Sequence, residues 1–352
     1  MGSKLKAGPE VAAILSFVLW VILLLPLAAV AKEAASTEKE RVAKLIEGAK
    51  SEGALVFYGT MDVSHTMKLF DRFKEKYPFI KTELYRASSP QLLSKLMSEA
   101  KAKRYIPDII QLTGFQAYVS KKEGLSLGYV SPESAAYREG FKDQEGHWTS
   151  IYILHYAMGF NTRLLSRKDI PDHYEGFLQP RWKGKKICFD TQEVEWYANM
   201  MKIMGEAKGT EFMKKFAAQD LLYRSGHTLT ATLVAAGELP LATVYPQGAE
   251  AMKKNGAPME WVGVAPLIVK LGAIGIAAHA PHPNAAKLFI DFSLSKEGQT
   301  IIRSTGRVPA RPDVEIDYMK HLEGIKLYPS DLSLATNYAK YHRQFNELFR
   351  FK

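Results

Sequence analysis

The chain has 352 residues, 24% of them charged and 47% hydrophobic, which excludes a disordered polymer and leaves room for two domains of ordinary size. Its net charge of +10 comes from scattered Lys and Arg rather than a dense basic run interleaved with aromatics, so the footprint of a nucleic-acid binder is missing. The single cysteine, Cys188, excludes an internal disulfide and, set in an apolar strand, reads as a small buried hydrophobe.

At the N-terminus Lys4 and Lys6 precede an apolar run over 11–25, and Ala29-Val30-Ala31 offers a small-residue cleavage site. Residues 1–31 therefore read as a signal peptide cleaved after Ala31, giving a free periplasmic protein. Apolar character continues weakly to Val30, so an uncleaved anchor of about 20 residues stays open as the alternative. No cysteine near the site would carry a lipid.

After a polar helix over about 37–51, strands and helices alternate. Residues 54–58 form a buried strand, and Val63, Met67, Phe70, Phe73 and Tyr77 recur at near-helical spacing. Residues 81–86 alternate as a strand. Ser88-Ser89-Pro90 starts a helix whose apolar stripe is Leu92, Leu93, Leu96, Met97 and Ala100. A third strand over 107–112 leads to a short helix from Phe115. Three such units in succession predict a parallel, doubly wound sheet.

Residues 148–161 read as one long strand crossing into a second series. That series comprises a strand to Phe189, helices near 193–205 and 209–218, and a strand over 221–223. A helix over 227–236, a strand over 241–245, a helix over 247–255 and a strand over 260–264 follow. A long apolar strand over 267–278 crosses back, with helices near 284–294 and 296–304. Two crossings predict two hinge-linked lobes able to close on a ligand. Leu334, Tyr338, Tyr341, Phe345 and Leu348 place a helix at the C-terminus.

In open α/β sheets ligands bind beyond the carboxyl ends of strands, where helix N-termini favour anions. This selects Thr60 and Asp62 after the first strand, Ser88 and Ser89 after the second, and Thr113 and Gly114 after the third. The second series contributes Asp190 and Thr191, then Ser225, Gly226, His227 and Thr228, then Tyr245 and Gln247. Each hydroxyl or carboxylate could equally cap its own helix. His155, in the crossing strand, is a further candidate; His227 is the favoured histidine contact, and His65 sits on an exposed flank. His279 and His282 have metal-compatible spacing but no third ligand nearby, and Trp196 and Tyr197 fit packing between helices better than stacking on a ligand. No G-x-S-x-G, P-loop or H-E-x-x-H pattern is present, so no enzyme chemistry, cofactor or resident metal is indicated.

The run over 170–191, IPDHYEGFLQPRWKGKKICFDT, resembles the passage where periplasmic solute-binding proteins of ABC importers leave their first lobe. The branch resembled is the iron(III)-, polyamine-, thiamine- and phosphonate-type one. VFYGTMD, LYRASSPQLLSKLMSEA, PDII, MGFNTRLL, AAGELPLATVYPQGAEAMKKNGAPMEWV and SKEGQTIIRSTGRVPARPDV extend the likeness over about residues 50–350. It implies a type II periplasmic binding protein: two doubly wound α/β lobes joined by a two-crossing hinge. The first lobe is then 37–155 with 266–315, the second 156–265, and 316–352 a C-terminal helical segment. It also implies a monomer that takes a small-molecule ligand to an ABC permease in the inner membrane, without nucleic acid. Ferric-ion binders of this branch carry a tyrosine pair after the strand matching 241–245, where this chain has Gln247-Gly248. Their first-lobe His and Glu align near Asp62 and Thr113. A small oxyanion or organic anion is therefore favoured; ferric iron, a ligand-sensing role and a hydrolase or transferase stay open.

Overall fold

The computed structural model describes residues 37–349; the leader and its cleavage site lie outside them. Helix α1 (37–52) precedes β1 (Ala54–Gly59), α2 (Val63–Lys76), β2 (Lys81–Arg86), α3 (Ser89–Lys101), β3 (Ile109–Thr113) and α4 (Gly114–Lys122). Residue spacing explains the placement. β3 is apolar except for Gln111 and its closing Thr113 and lies inside the sheet, whereas β2 alternates and takes an edge. In α2 the buried Thr66, Leu69, Phe70 and Phe73 fall three or four apart, the stripe that faces a core.

Next come β4 (Ser126–Leu127), β5 (Thr149–His155) and β6 (Ala157–Asn161). The single strand expected over 148–161 is thus broken at Tyr156. The break has a physical cause: β5 pairs with β11 (Leu267–Ala277), β6 with two strands of another sheet, and the partners change at this residue. The remaining elements of the second sheet's lobe are β7 (Cys188–Asp190), α5 (Val194–Met204), α6 (Glu206–Ala217), β8 (Leu222–Arg224), α7 (His227–Ala236), β9 (Leu241–Val244), α8 (Pro246–Lys254) and β10 (Met259–Gly263). After β11 follow α9 (Pro283–Leu294), α10 (Lys296–Ser304), β12 (Val308–Pro309), β13 (Leu327–Pro329) and α11 (Tyr338–Phe349).

The first sheet runs β12-β5-β11-β3-β1-β2, with β4 and β13 also on β11; the second runs β10-β6-β9-β7-β8. Both are mixed: the parallel, doubly wound units expected from the sequence are present, and antiparallel strands are added to them at the crossings. β2-β1-β3, β8-β7-β9 and β11-β13 are parallel; β11 runs against β3 and β5, and β6 against β9. The crossings impose this. β5 leaves the first lobe at its carboxyl end, so β11, returning at the same junction, must run the other way. Its register sets Val269 opposite His155 and Gly272 opposite Thr113, which puts the carboxyl end of β3 at the junction. Ala157, where β6 begins, pairs with Val244, where β9 ends. The carboxyl ends of the parallel strands in both sheets therefore converge on one seam.

Each lobe buries its own aromatic core. Phe57, Phe70 and Phe289 meet edge-to-face at 5.7 Å in the first; Phe189 lies 5.2 Å from Trp196 and 5.5 Å from Phe216 in the second. The C-terminal segment ties the two together. β13 pairs with the start of β11, and Phe345 and Phe349 of α11 pack on Phe189.

Candidate functional site

The second-lobe wall of the seam is built on Asp190. Its buried carboxylate accepts from Gln192 N–H at 2.8 Å and Gly226 N–H at 2.7 Å, joining the loop after β7 to the loop after β8. Gly226 has φ of 104°, a conformation that a side chain would strain. Glu193, at the head of α5, is buried; its Oε1 lies 3.2 Å from His227 Nε2 but is not aligned for a hydrogen bond, and Oε2 has no partner. Glu195 is buried too, with Oε2 3.9 Å from Lys270 Nζ and Oε1 unpartnered. The His227 ring lies on Tyr245 at 3.7 Å, and the Tyr156 ring is 6.0 Å from Tyr245. His227 Nδ1, the Tyr156 hydroxyl and Gln247 Oε1 are buried without partners.

Electrostatics follow from this burial. Desolvation raises Glu193 and Glu195 above the usual carboxylate value, partly opposed by His227 and by Lys270 respectively. Burial pushes His227 down, but Glu193 and Asp190 outweigh it, so its affinity for a proton is raised. Tyr156 and Tyr245 are held well above the ordinary phenol value by burial and by Asp190, Glu193 and Glu195.

The first-lobe wall centres on Gln111 and Arg307. Gln111 Oε1 accepts from the N–H groups of Thr60 and Met61 at 2.9 and 3.0 Å and from the Thr60 hydroxyl, while its amide donates to the Tyr152 hydroxyl at 3.1 Å. The Arg307 guanidinium carbon sits 4.6 Å from the Tyr152 ring centre. Its Nη2 donates to Asp62 Oδ2 at 2.9 Å and its Nε to His65 Nδ1 at 3.3 Å. Arg86 lies 3.7 Å from the same Asp62 carboxylate. His65 is therefore half-buried under Arg307 rather than free on a flank, and burial and that cation lower its proton affinity.

The two walls meet. Tyr245 packs against the cores of both lobes and feels the Tyr152 hydroxyl electrostatically. Arg307 and Tyr152 on the first wall thus face Tyr245 on the second, which lies against His227 beside Glu193. Thr60, Asp62, Asp190, Gly226, His227 and Tyr245, all read from the sequence, belong to these two walls.

Other sequence candidates serve local structure. Ser89 is buried and its hydroxyl oxygen accepts from Thr113 N–H at 2.9 Å; the Thr113 hydroxyl donates to Gln116. Ser88 is exposed and bonds to Gln91, and Ser225 is exposed and accepts from Gln192. Gly114 packs against Leu332, so close that an added Cβ would lie 2.5 Å from it. Thr191 donates its N–H to Arg224, and Thr228 is exposed. His155 is fully buried at the crossing with neither ring nitrogen bonded. Trp196 donates to the Tyr174 hydroxyl inside the core, His282 bonds to Asp108, and His279 stacks on Tyr105. Burial pushes the Cys188 thiol up to about 11, which makes it inert.

Sequence reasoning missed Gln111, Tyr152, Tyr156, Glu193, Glu195, Lys270 and Arg307. A polar residue inside an apolar run was the available signal for four of them: Gln111 in IIQLT, Lys270 in LIVKLGAIGIA, and Glu193 and Glu195 ahead of WYANMM. In a separate groove between α2 and α10, Arg72 pairs with Glu75 and Glu297, and Lys76 pairs with Glu297.

Two α/β lobes, a double crossing and facing strand ends with buried unpartnered polar groups define a hinged solute-binding protein. The bacterial extracellular solute-binding protein family matches residues 68–321, and the chain belongs to it: a type II periplasmic binding protein serving an ABC importer. A protein of Haemophilus influenzae described as uncharacterised is 27% identical over 274 residues, covering 73% of this chain and 78% of its own. Among solved structures the chain is similar to iron-bound HitA from Pseudomonas aeruginosa, at 19% identity and TM-score 0.74 over 83% of this chain and 99% of the other. It is also similar to AfuA from Actinobacillus pleuropneumoniae with fructose-6-phosphate bound, at 23% identity and TM-score 0.72 over 85% and 99%. These structural likenesses bear on the fold.

Proposed function

We propose that the chain captures a small oxyanion or organic anion (a carboxylate, phosphonate or phosphate ester) in the seam between its lobes and hands it unchanged to its permease. The carrying observation is the Arg307 cluster. Arg307 and Arg86 share one carboxylate, Asp62, so positive charge is left over beside the N-terminus of α2, the positive end of the helix dipole. An oxyanion meets both needs. AfuA, with a sugar phosphate bound, is a precedent on a similar fold. The ferric reading has its own precedent in HitA but less support here: Tyr156 and Tyr245 hold their protons tightly, and the Gln247-Gly248 departure stands. The same reading has the protein acting as an exported monomer without nucleic acid or catalysis, its leader removed after Ala31.

Calorimetry with phosphate esters and carboxylates tests the ligand class. Losing a hydrogen bond to a charged group costs about 1.5–3 kcal/mol, so Arg307→Met should weaken the preferred anion by about tenfold to a hundredfold. A visible charge-transfer band on adding ferric citrate, removed by Tyr245→Phe, would instead establish the iron reading.

A further inference from the structure

The second-lobe wall carries a requirement that the anion reading leaves unmet. Glu193 offers two carboxylate oxygens without a hydrogen bond, Glu195 one, and Gln247 an amide oxygen, all buried. They sit in the first turns of α5 and α8, and His227 at the start of α7 adds an unpartnered Nδ1. Asp190 and Glu193 both lie beside His227 Nε2, at 3.9 and 3.2 Å, and Glu195 follows Glu193 by two residues. Buried acceptors left unmade are costly, so such a set implies a missing group of donors.

The charge balance says which donors. His227 Nε2 already stands 3.2 Å from Glu193, and Lys270 Nζ stands 3.9 Å from Glu195 and 5.9 Å from the Tyr156 ring centre. Asp190 is satisfied by two N–H groups. The three carboxylates outnumber the two cations beside them, but an incoming ammonium would be repelled by Lys270 and by protonated His227, which stand next to the unpartnered oxygens. Hydroxyl groups give each oxygen a short charge-assisted hydrogen bond without adding charge. The unpartnered Nδ1 of His227 and hydroxyl of Tyr156 can complete such a network as donor or acceptor.

We propose that the solute is a polyhydroxylated oxyanion, its anionic group at the Arg307 wall and its hydroxyl groups donating to Glu193, Glu195 and Gln247 on the other lobe. This rests on the anion reading and specifies what the anion is attached to. It also gives closure a cause: each lobe holds one end of the solute, so only the closed form satisfies both walls.

The test is a titration series on the mature protein by calorimetry. Methyl phosphate and acetate are the bare anions, a hexose 6-phosphate and gluconate the hydroxylated ones, 2-aminoethyl phosphate the cationic rival and a neutral hexitol the control. A hydroxylated anion should bind at least about tenfold tighter than its bare counterpart. Glu193→Gln and Glu195→Gln, which keep side-chain shape, should weaken the hydroxylated anion more than the bare one and so shrink that gain. Equal affinities for bare and hydroxylated anions would overturn the inference and leave the anion reading standing. Tighter binding of 2-aminoethyl phosphate, or no binding by any hydroxylated member, would also overturn it. Tight binding of the hexitol with no preference for its charged relatives would sink the anion reading and keep the hydroxyl wall.

Discussion

Replacing His155 with Leu should change how stability depends on pH. The imidazole is fully buried in β5 with both nitrogens unpartnered, and burial alone lowers its pKa from 6.5 to about 4. A tenfold change in proton affinity is worth about 1.36 kcal/mol, so moving from 6.5 in the unfolded chain to about 4 in the folded one corresponds to about 3.4 kcal/mol. The sign is fixed by which state takes the proton first. As pH falls below 6.5 the unfolded chain binds it and the folded one does not, so this stability is present above 6.5 and drains away toward pH 4. By pH 5 about 2 kcal/mol is gone. Leu has a similar volume and no proton to bind. At pH 7 it also relieves an unbonded ring donor and acceptor, each costing about 1–3 kcal/mol, so the variant should be at least as stable as the parent there. Urea unfolding followed by circular dichroism at pH 7 and pH 5 gives the comparison. The raised Glu193, Glu195 and His227 work in the opposite sense, adding stability as pH falls, but they titrate in both proteins and cancel in the difference. The variant's advantage should grow by about 2 kcal/mol between the two pH values. Parallel pH dependences would refute a neutral, unpartnered His155.

Ser89→Ala should cost about 1–3 kcal/mol of ligand-free stability in urea, because the buried Ser89 oxygen is what Thr113 N–H donates to. Thr228→Ala, at an exposed hydroxyl, should leave stability within about 0.5 kcal/mol; a large loss there would reveal a contact outside this account. N-terminal sequencing of the periplasmic protein should begin at Lys32, and a full-length product in the membrane pellet would favour the anchor.

The lobes were legible in the sequence because their elements are locally consistent: β3 is short and apolar, α2 carries its stripe, and α7 runs over His227–Ala236 as its pattern and its closing Gly237 require. Strand direction was not legible at the crossings. Residues 148–161 read as one apolar strand, and only the change of partners at Tyr156, a long-range fact, divides it. The site was half legible for a related reason. The rule of strand ends finds loops, so it found Asp62, Asp190, His227 and Tyr245. It is blind to a group such as Arg307, which lies far along the chain and reaches the seam only because β12 pairs with β5. It is equally blind to whether a hydroxyl is already engaged, which separates Ser89 from Gln247. Glu193 and Glu195 were readable by a different test, the presence of charge where burial is expected. A carboxylate ahead of WYANMM must be paired, protonated or waiting for a ligand. Here Glu193 has an imidazole beside it that neither oxygen bonds squarely, so it is neither fully paired nor free of charge partners, and burial raises its pKa.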